Sequence, residues 1–486
     1  MILQVNVRFI IKFLGTMHML ESLFMLSAVG VSFWYHDSDF IPLSISCAIM
    51  FTAGLTMYLF GRRADDYHSG RREGMLSVTL TWILLSLFGM LPYLISGAIP
   101  NVADAFFETI SGFTTTGATI LNDIERLPHG LLFWRSLTQW QGGIGMIVFT
   151  VAILPMFGGT ASQLFDAETP GITHERFRPR ITQVAKRIFG LYLLITLAIL
   201  LLLWAGPMNL FDALNHAMTT VATGGYSTKN QGLAYWHSAY TEYVVILGMT
   251  IGATNFTLLY FALRGHSHKL FHDHEFRWFW TVVALAVTVT TAWILLRHNE
   301  TDPELAFRHA LFHIISLIST TGFLTVDFAQ WGSFFAVIAL FVIIVAGCAG
   351  STSGGLKMGR FMILIKNLLN EFKRQTHPRA VLPLRTGGQI VPEHIIQRVY
   401  TFAIVYVGLI LFGCTVLTLE GIELSDALGL AATSVSNAGP GIGRFSAGNF
   451  ASISAFNKWI LSFLMIVGRL EIFTVLTPLL PGFWRR

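Results

Sequence analysis

Charge is what this chain of 486 residues lacks most: Asp, Glu, Lys and Arg make up only 12% of it. A soluble domain carries about 25%. With 53% hydrophobic residues, 40 phenylalanines and a mean hydropathy of +0.61, it has too little polar surface to cover its apolar atoms in water. A soluble globule is excluded, and a bilayer is the solvent that fits. Cysteine is scarce too. Cys47, Cys348 and Cys414 all lie in apolar stretches, which leaves no disulfide framework and no zinc spacing. Paired aspartates or a Ser–His set on facing spans are also missing, so enzyme chemistry is not expected. The net charge of +5 reads as membrane topology rather than nucleic-acid binding.

What is present is a series of long apolar runs. They fall near residues 13–35, 41–60, 75–96, 131–157, 188–206, 240–263, 278–296, 332–370 (interrupted), 395–418 and 455–480. Each approaches the ~20 residues needed to cross a bilayer as a helix. The first follows Arg8 and Lys12 and shows no small-residue cleavage site, so it reads as an uncleaved helix. Shorter apolar runs between the spans read as re-entrant segments. Basic residues set the orientation. Arg8, Lys12, Arg62, Arg63, Arg71, Arg72, Arg176, Arg178, Arg180, Lys186, Arg187, Arg264, Lys269, Arg277, the stretch from Lys357 to Arg398, and Arg485 and Arg486 share one side. Only Arg126, Arg135, Lys229, Arg297, Arg308, Arg444 and Lys458 fall opposite, with Arg469 inside a span. The richer side is cytoplasmic by this rule, and both termini lie there.

A fourfold repeat organises the chain. Gly117, Gly225, Gly322 and Gly439 each follow a short apolar run and precede a spanning one. Thirteen residues before them stand Asp104, Asp212, His309 and Asp426, each followed by alanine. Six before stand Ser111, Thr219, Ser316 and Thr433, and two before stand Thr115, Thr223, Thr320 and Asn437. Any one glycine alone suits a helix C-cap. Four at matching positions suggest a shared device: a half-membrane helix whose negative C-terminal end points at a turning loop. The expected helix is about eight to ten residues, or ~12–15 Å. Four such loops around one axis form a ring of carbonyls, which can replace an ion's hydration shell. The expected repeats are 74–175, 176–275, 276–392 and 393–486, preceded by two helices in 1–73.

These loops resemble the single-glycine filters of the Trk/Ktr/HKT superfamily of potassium transporters. QWQGGIG at Gln139–Gly145, GCAGSTSGGLK at Gly347–Lys357 and GRLEIFTVL at Gly468–Leu476 extend the resemblance over essentially the whole chain. The two leading helices match the TrkH-type membrane subunits of the bacterial Trk system rather than Ktr-type ones. Ala438 before the fourth glycine and Ser353 in the broken span depart from the commoner residues. The resemblance implies an all-α polytopic protein of the bacterial inner membrane, a homodimer that pairs with a cytosolic nucleotide-binding regulatory subunit. It implies potassium as the transported ligand and no cofactor. Glycine in all four loops favours potassium, since serine in the family's first loop accompanies sodium permeation. The filter would comprise Thr115, Thr116, Gly117, Thr223, Gly224, Gly225, Thr320, Thr321, Gly322, Asn437, Ala438 and Gly439.

Three further features carry expectations. Gly347, Gly350, Ser351, Thr352, Ser353, Gly354 and Gly355 interrupt the third repeat's second helix, and only that one, which reads either as a kink or as a mobile gate anchored by Lys357. Arg469 lies deep in a span, where a charge costs about 2.5–3.5 kcal/mol on insertion scales. It is either a structural partner for a carbonyl or carboxylate, or a fixed charge beside the pore. Glu108 is the one carboxylate seen that could couple transport to sodium or protons. The run HSHKLFHDH is read as a solvated loop ahead of a metal site, and the basic stretch after Lys357 as a docking surface or an ordinary cytoplasmic loop.

Overall fold

The computed structural model describes residues 5–64, 70–153, 181–297, 301–387 and 389–484. Two leading helices, α1 (Val7–Tyr35) and α2 (Phe40–Gly61), form a tight antiparallel hairpin. Small residues let their backbones meet: a Cβ on Gly54 would stand 2.9 Å from the Met19 nitrogen. Such contacts drive helix pairing where no water remains to be expelled.

Four units of outer helix, pore helix, loop and inner helix follow. The first is α3 (Arg71–Gly89) with α4 (Leu91–Ser96), α5 (Val102–Phe113) and α6 (His129–Ile153). The second is α7 (Ile181–Trp204), α8 (Leu210–Val221), α9 (Ala239–Gly252) and α10 (Phe256–Leu263). A short helix α11 (Ser267–His272) leads to the third: α12 (His274–Arg297), α13 (Pro303–Ile318), α14 (Gly332–Val345) and α15 (Met358–Thr376). The fourth is α16 (Glu393–Leu419), α17 (Leu424–Ser436), α18 (Ala455–Arg469) and α19 (Ile472–Leu476), with α20 (Pro481–Trp484) at the end. Among the described residues, the one strand pair joins Arg385–Thr386 to Gln389–Ile390.

Local sequence explains the pore helices. Asn101, Asn209 and Asp302 cap three of them by accepting first-turn backbone N–H groups. Their 12, 12, 16 and 13 residues exceed the expected eight to ten. The difference arises because the caps stand upstream of the thirteenth-before position. Asp104, Asp212 and Asp426 fall in the first turn, whereas His309 lies mid-helix, because Pro303 starts α13 earlier.

Seven helices among the described residues are long and apolar enough to cross a membrane, or nine with two sharply bent pairs. The expected span at 131–157 is α6, whose last expected residues, 154–157, lie outside the described ones, as do Arg176, Arg178, Arg180, Arg485 and Arg486. The bent pairs correct the sequence reading that only the third inner helix is broken. α9 and α10 meet at 107°, and α18 meets its continuation at 118°. Asn255 causes the first bend by capping α10 through the Thr257 and Leu258 N–H groups. Glu471, with φ of 59° and ψ of 125°, starts the new direction at the second.

Candidate functional site

The pore helices end in one conformation, made four times. The residue before each glycine donates its N–H to the carbonyl of the hydroxyl residue five earlier: Thr116 to Ser111 (2.9 Å), Gly224 to Thr219 (2.8 Å), Thr321 to Ser316 (2.9 Å) and Ala438 to Thr433 (3.0 Å). Two left-handed residues flank that position. Thr115, Thr223, Thr320 and Asn437 have φ of 55°, 53°, 56° and 56°, and the glycines have φ of 83°, 82°, 83° and 86°. Non-glycine residues seldom adopt positive φ. Three threonines and an asparagine doing so in register mark a shape the whole site imposes.

The loops close on one another. A Cβ on Gly117 would overlap the Gly224 carbonyl oxygen, one on Gly225 that of Thr321, and one on Gly322 that of Ala438. One on Gly439 would stand 2.6 Å from the Thr116 oxygen. Each glycine therefore faces the carbonyl before the next glycine, and the fourth returns to the first. The result is a ring of four main-chain oxygens, with the pore-helix C-termini around it.

Side chains behind the loops hold this shape. The hydroxyls of Ser111 and Ser316 donate to the carbonyls just past their glycines, Ala118 and Phe323, each at 2.6 Å. Gln139 on α6 donates to the Gly224 carbonyl at 2.7 Å and accepts from the Tyr226 N–H at 3.0 Å. Asn437 donates to the Thr116 hydroxyl at 3.0 Å and to the Met465 carbonyl at 2.9 Å. Glu108 and Arg135 form a pair at 2.6 Å, 1% and 2% exposed. The Arg135 guanidinium lies over the Tyr226 ring, 3.6 Å from its centre. Thr119 and the Ile120 N–H also donate to Glu108. Both oxygens are thus occupied, which suits a scaffold and not a carboxylate that binds and releases a coupling ion.

The break in the third inner helix folds directly against this ring. The Gly354 N–H donates to the Thr320 hydroxyl at 2.8 Å, and Thr352 to the Val221 and Gly252 carbonyls at 3.1 and 3.0 Å. Cys348 N–H reaches the Ala253 carbonyl at 2.9 Å, and Phe256 N–H the Gly350 carbonyl at 3.0 Å. The bend between α9 and α10 is therefore the seat of this loop. Lys357 donates to the Ser353 carbonyl. Arg469 donates to Thr352 at 2.8 Å and to Gly142 at 2.6 Å, both backbone carbonyls. The sequence reading offered either a structural partner for a carbonyl or carboxylate, or a fixed charge beside the pore; the arginine stands against the loop with both terminal nitrogens bonded to carbonyls. Lys357 and Arg360, counted above with the cytoplasmic loop, belong to this layer: Arg360 pairs with Glu471 at 2.7 Å.

The family profile for TrkH, cation transport protein, matches residues 43–480. The chain belongs to the TrkH family. Among curated TrkH-family relatives, the Trk system potassium uptake protein TrkH of Vibrio parahaemolyticus is 37% identical over 485 residues, covering 98% of this chain and 99% of the relative. That of Escherichia coli K12 is 36% identical, with 98% and 97% covered. The crystal structure of the potassium transporter TrkH from Vibrio parahaemolyticus superposes with a TM-score of 0.90 at 35% identity, over 99% of this chain and 100% of that one.

Sequence reasoning missed several members of this TrkH-family site. Gln139 was noted only inside its motif. Tyr226 and Asn255 gave no signal beyond their type. Glu21, on α1, is a further buried carboxylate, 6% exposed, on a leading helix outside the ring. Among the described residues, no three His, Cys, Asp or Glu side chains converge as a metal cluster, and the HSHKLFHDH run falls on α11 and its flanks.

Proposed function

We propose that this multi-pass membrane protein takes up potassium ions across the bacterial inner membrane through the ring at Thr116, Gly224, Thr321 and Ala438. The single observation that carries the reading is the closed ring of carbonyls beside four left-handed glycines. Such a ring offers a dehydrated cation neutral oxygen ligands and no side-chain charge. The flanking Thr115, Thr223, Thr320 and Asn437, with Gly117, Gly225, Gly322 and Gly439, complete the filter. Residues 347–355 act as its gate, since they lie against the filter loops, and Arg469 adds a cationic barrier there. Lys and Arg placement supports cytoplasmic termini. Relatives named for a Trk system support a multi-component assembly; here that would be a homodimer with a cytosolic nucleotide-binding subunit.

Rubidium flux into proteoliposomes, with and without an imposed membrane potential, tests the reading. Uptake should follow the potential, be blocked by potassium, and exceed sodium uptake. Uptake that ignores the potential but requires a sodium or proton gradient would replace channel-like conduction by coupled symport. No rubidium uptake at all would reject the potassium assignment.

A further inference from the structure

The break between α14 and α15 is held at both ends by one atom. Oε1 of Glu275, on the first turn of α12, accepts from the Ala349 N–H at 2.6 Å and from the Gly359 N–H at 2.8 Å. Ala349 lies near the start of the break and Gly359 just beyond its end. The Gly359 N–H belongs to the first turn of α15, which has no partner inside its own helix. Gly359 also makes room for the carboxylate: a Cβ there would stand 3.0 Å from Oε1.

We propose that Glu275 is the latch of the gate, a positioning residue that keeps the loop folded beneath the filter by tying its two ends to α12. This rests on the reading of residues 347–355 as a gate. A charged acceptor makes stronger hydrogen bonds than a neutral one, and removing it strands two backbone donors at once. The folded loop therefore depends on this carboxylate more than on any one of its own hydroxyls. The loop is also strained at its margins, with Ala346 at φ 58°, ψ −170° and Lys357 at φ 75°, ψ 136°. Residues so placed persist only where surrounding bonds compel them.

The latch connects to the cytoplasmic edge by a short path. The segment from Phe256 to Glu275 begins on the loop, through Phe256 N–H to the Gly350 carbonyl, and ends on it at Glu275. Between them lie α10, α11 and the basic residues Arg264 and Lys269. A partner that shifts this segment pulls on two anchors of the loop together, which favours one of two arrangements instead of a graded response.

The test uses the full-length protein with Cys47→Ala and Cys414→Ala, so that Cys348, 2% exposed in the loop, is its single thiol. Glu275→Gln keeps the size of the side chain and removes its charge. Gly359→Ala leaves the carboxylate and crowds it, although alanine is the better helix former. In Glu275→Gln, rubidium uptake without a regulatory subunit should rise roughly tenfold, and N-ethylmaleimide should modify Cys348 faster by a similar factor. Potassium-over-sodium preference should not change. Gly359→Ala should move both readings in the same direction by less. Deletion of Gly350–Ser353 is the control for the gate itself. If the deletion raises uptake but both point variants keep parental uptake and a slow Cys348, the latch is overturned and the gate stands. If the deletion leaves uptake unchanged, the gate reading falls and the latch with it. Should Glu275→Gln fail to fold, Gly359→Ala decides alone: parental uptake and a slow Cys348 overturn the latch.

Discussion

At Gly117 a side chain has nowhere to go. Its φ of 83° suits glycine, and a Cβ would run into the Gly224 oxygen. Gly117→Ser should therefore displace that oxygen and lower the potassium-to-sodium permeability ratio about tenfold, the equivalent of ~1.4 kcal/mol. A reversal-potential measurement giving the parental ratio would count against the filter assignment. Behind the loops, Arg135→Met leaves Glu108 as a buried charge without its cation, which costs about 3–5 kcal/mol. Adding Glu108→Gln removes that charge, so the double variant should melt above Arg135→Met alone. Thermal unfolding in detergent checks this; a double variant that melts lower would show that the pair acts through contacts other than charge. These residues differ in how readable they were. The glycines announced themselves by repetition. Glu108 was visible as an oddity in an apolar run, but its partner Arg135 sits 27 positions on, and only the fold shows that the two meet.

Whole elements were legible where hydrophobic length decides them. Most spans and all four pore helices stand where apolar runs put them, and polar side chains cap three of those pore helices. The breaks were legible only when rich in glycine. Residues 347–355 declare themselves, whereas the bends at Ala253–Asn255 and Leu470–Glu471 hold no glycine run and are fixed by Asn255 as a cap and by a strained Glu471. The broken element leads to a prediction about Arg469. This side chain bonds Thr352 in the break and Gly142 on α6. Arg469→Ala removes two charge-assisted bonds and, if the proposed barrier role holds, a positive charge from beside the ion path, so rubidium uptake should rise roughly tenfold. Normal expression with unchanged or reduced uptake would sink the barrier idea.

At the scale of the molecule, basic residues gather on the segments assigned to the cytoplasm, from Arg62 and Arg264 to the stretch ending at Arg398. A cytosolic regulatory subunit should bind there with an affinity that weakens as salt rises, because exposed charges are screened over ~8 Å at physiological ionic strength. A pull-down that recovers no subunit at low salt, with its nucleotide present, would argue against this surface. The ring also has a seam. Its last link joins Gly439 to Thr116. Nearby, Thr119 N–H meets the Gly448 carbonyl at 3.0 Å, and Phe450 N–H the Thr119 carbonyl at 2.7 Å. Asp104 holds Lys458 across the same boundary at 2.7 Å. Those partners are more than 300 residues apart in the chain, so they meet only after the last quarter has been made. A ribosome adding ~5–20 residues per second therefore threads three units into the membrane well before a complete ring can form. A nascent or truncated chain lacks one of the four ring loops, so on the proposed reading the potassium site is the last part of the molecule to be completed.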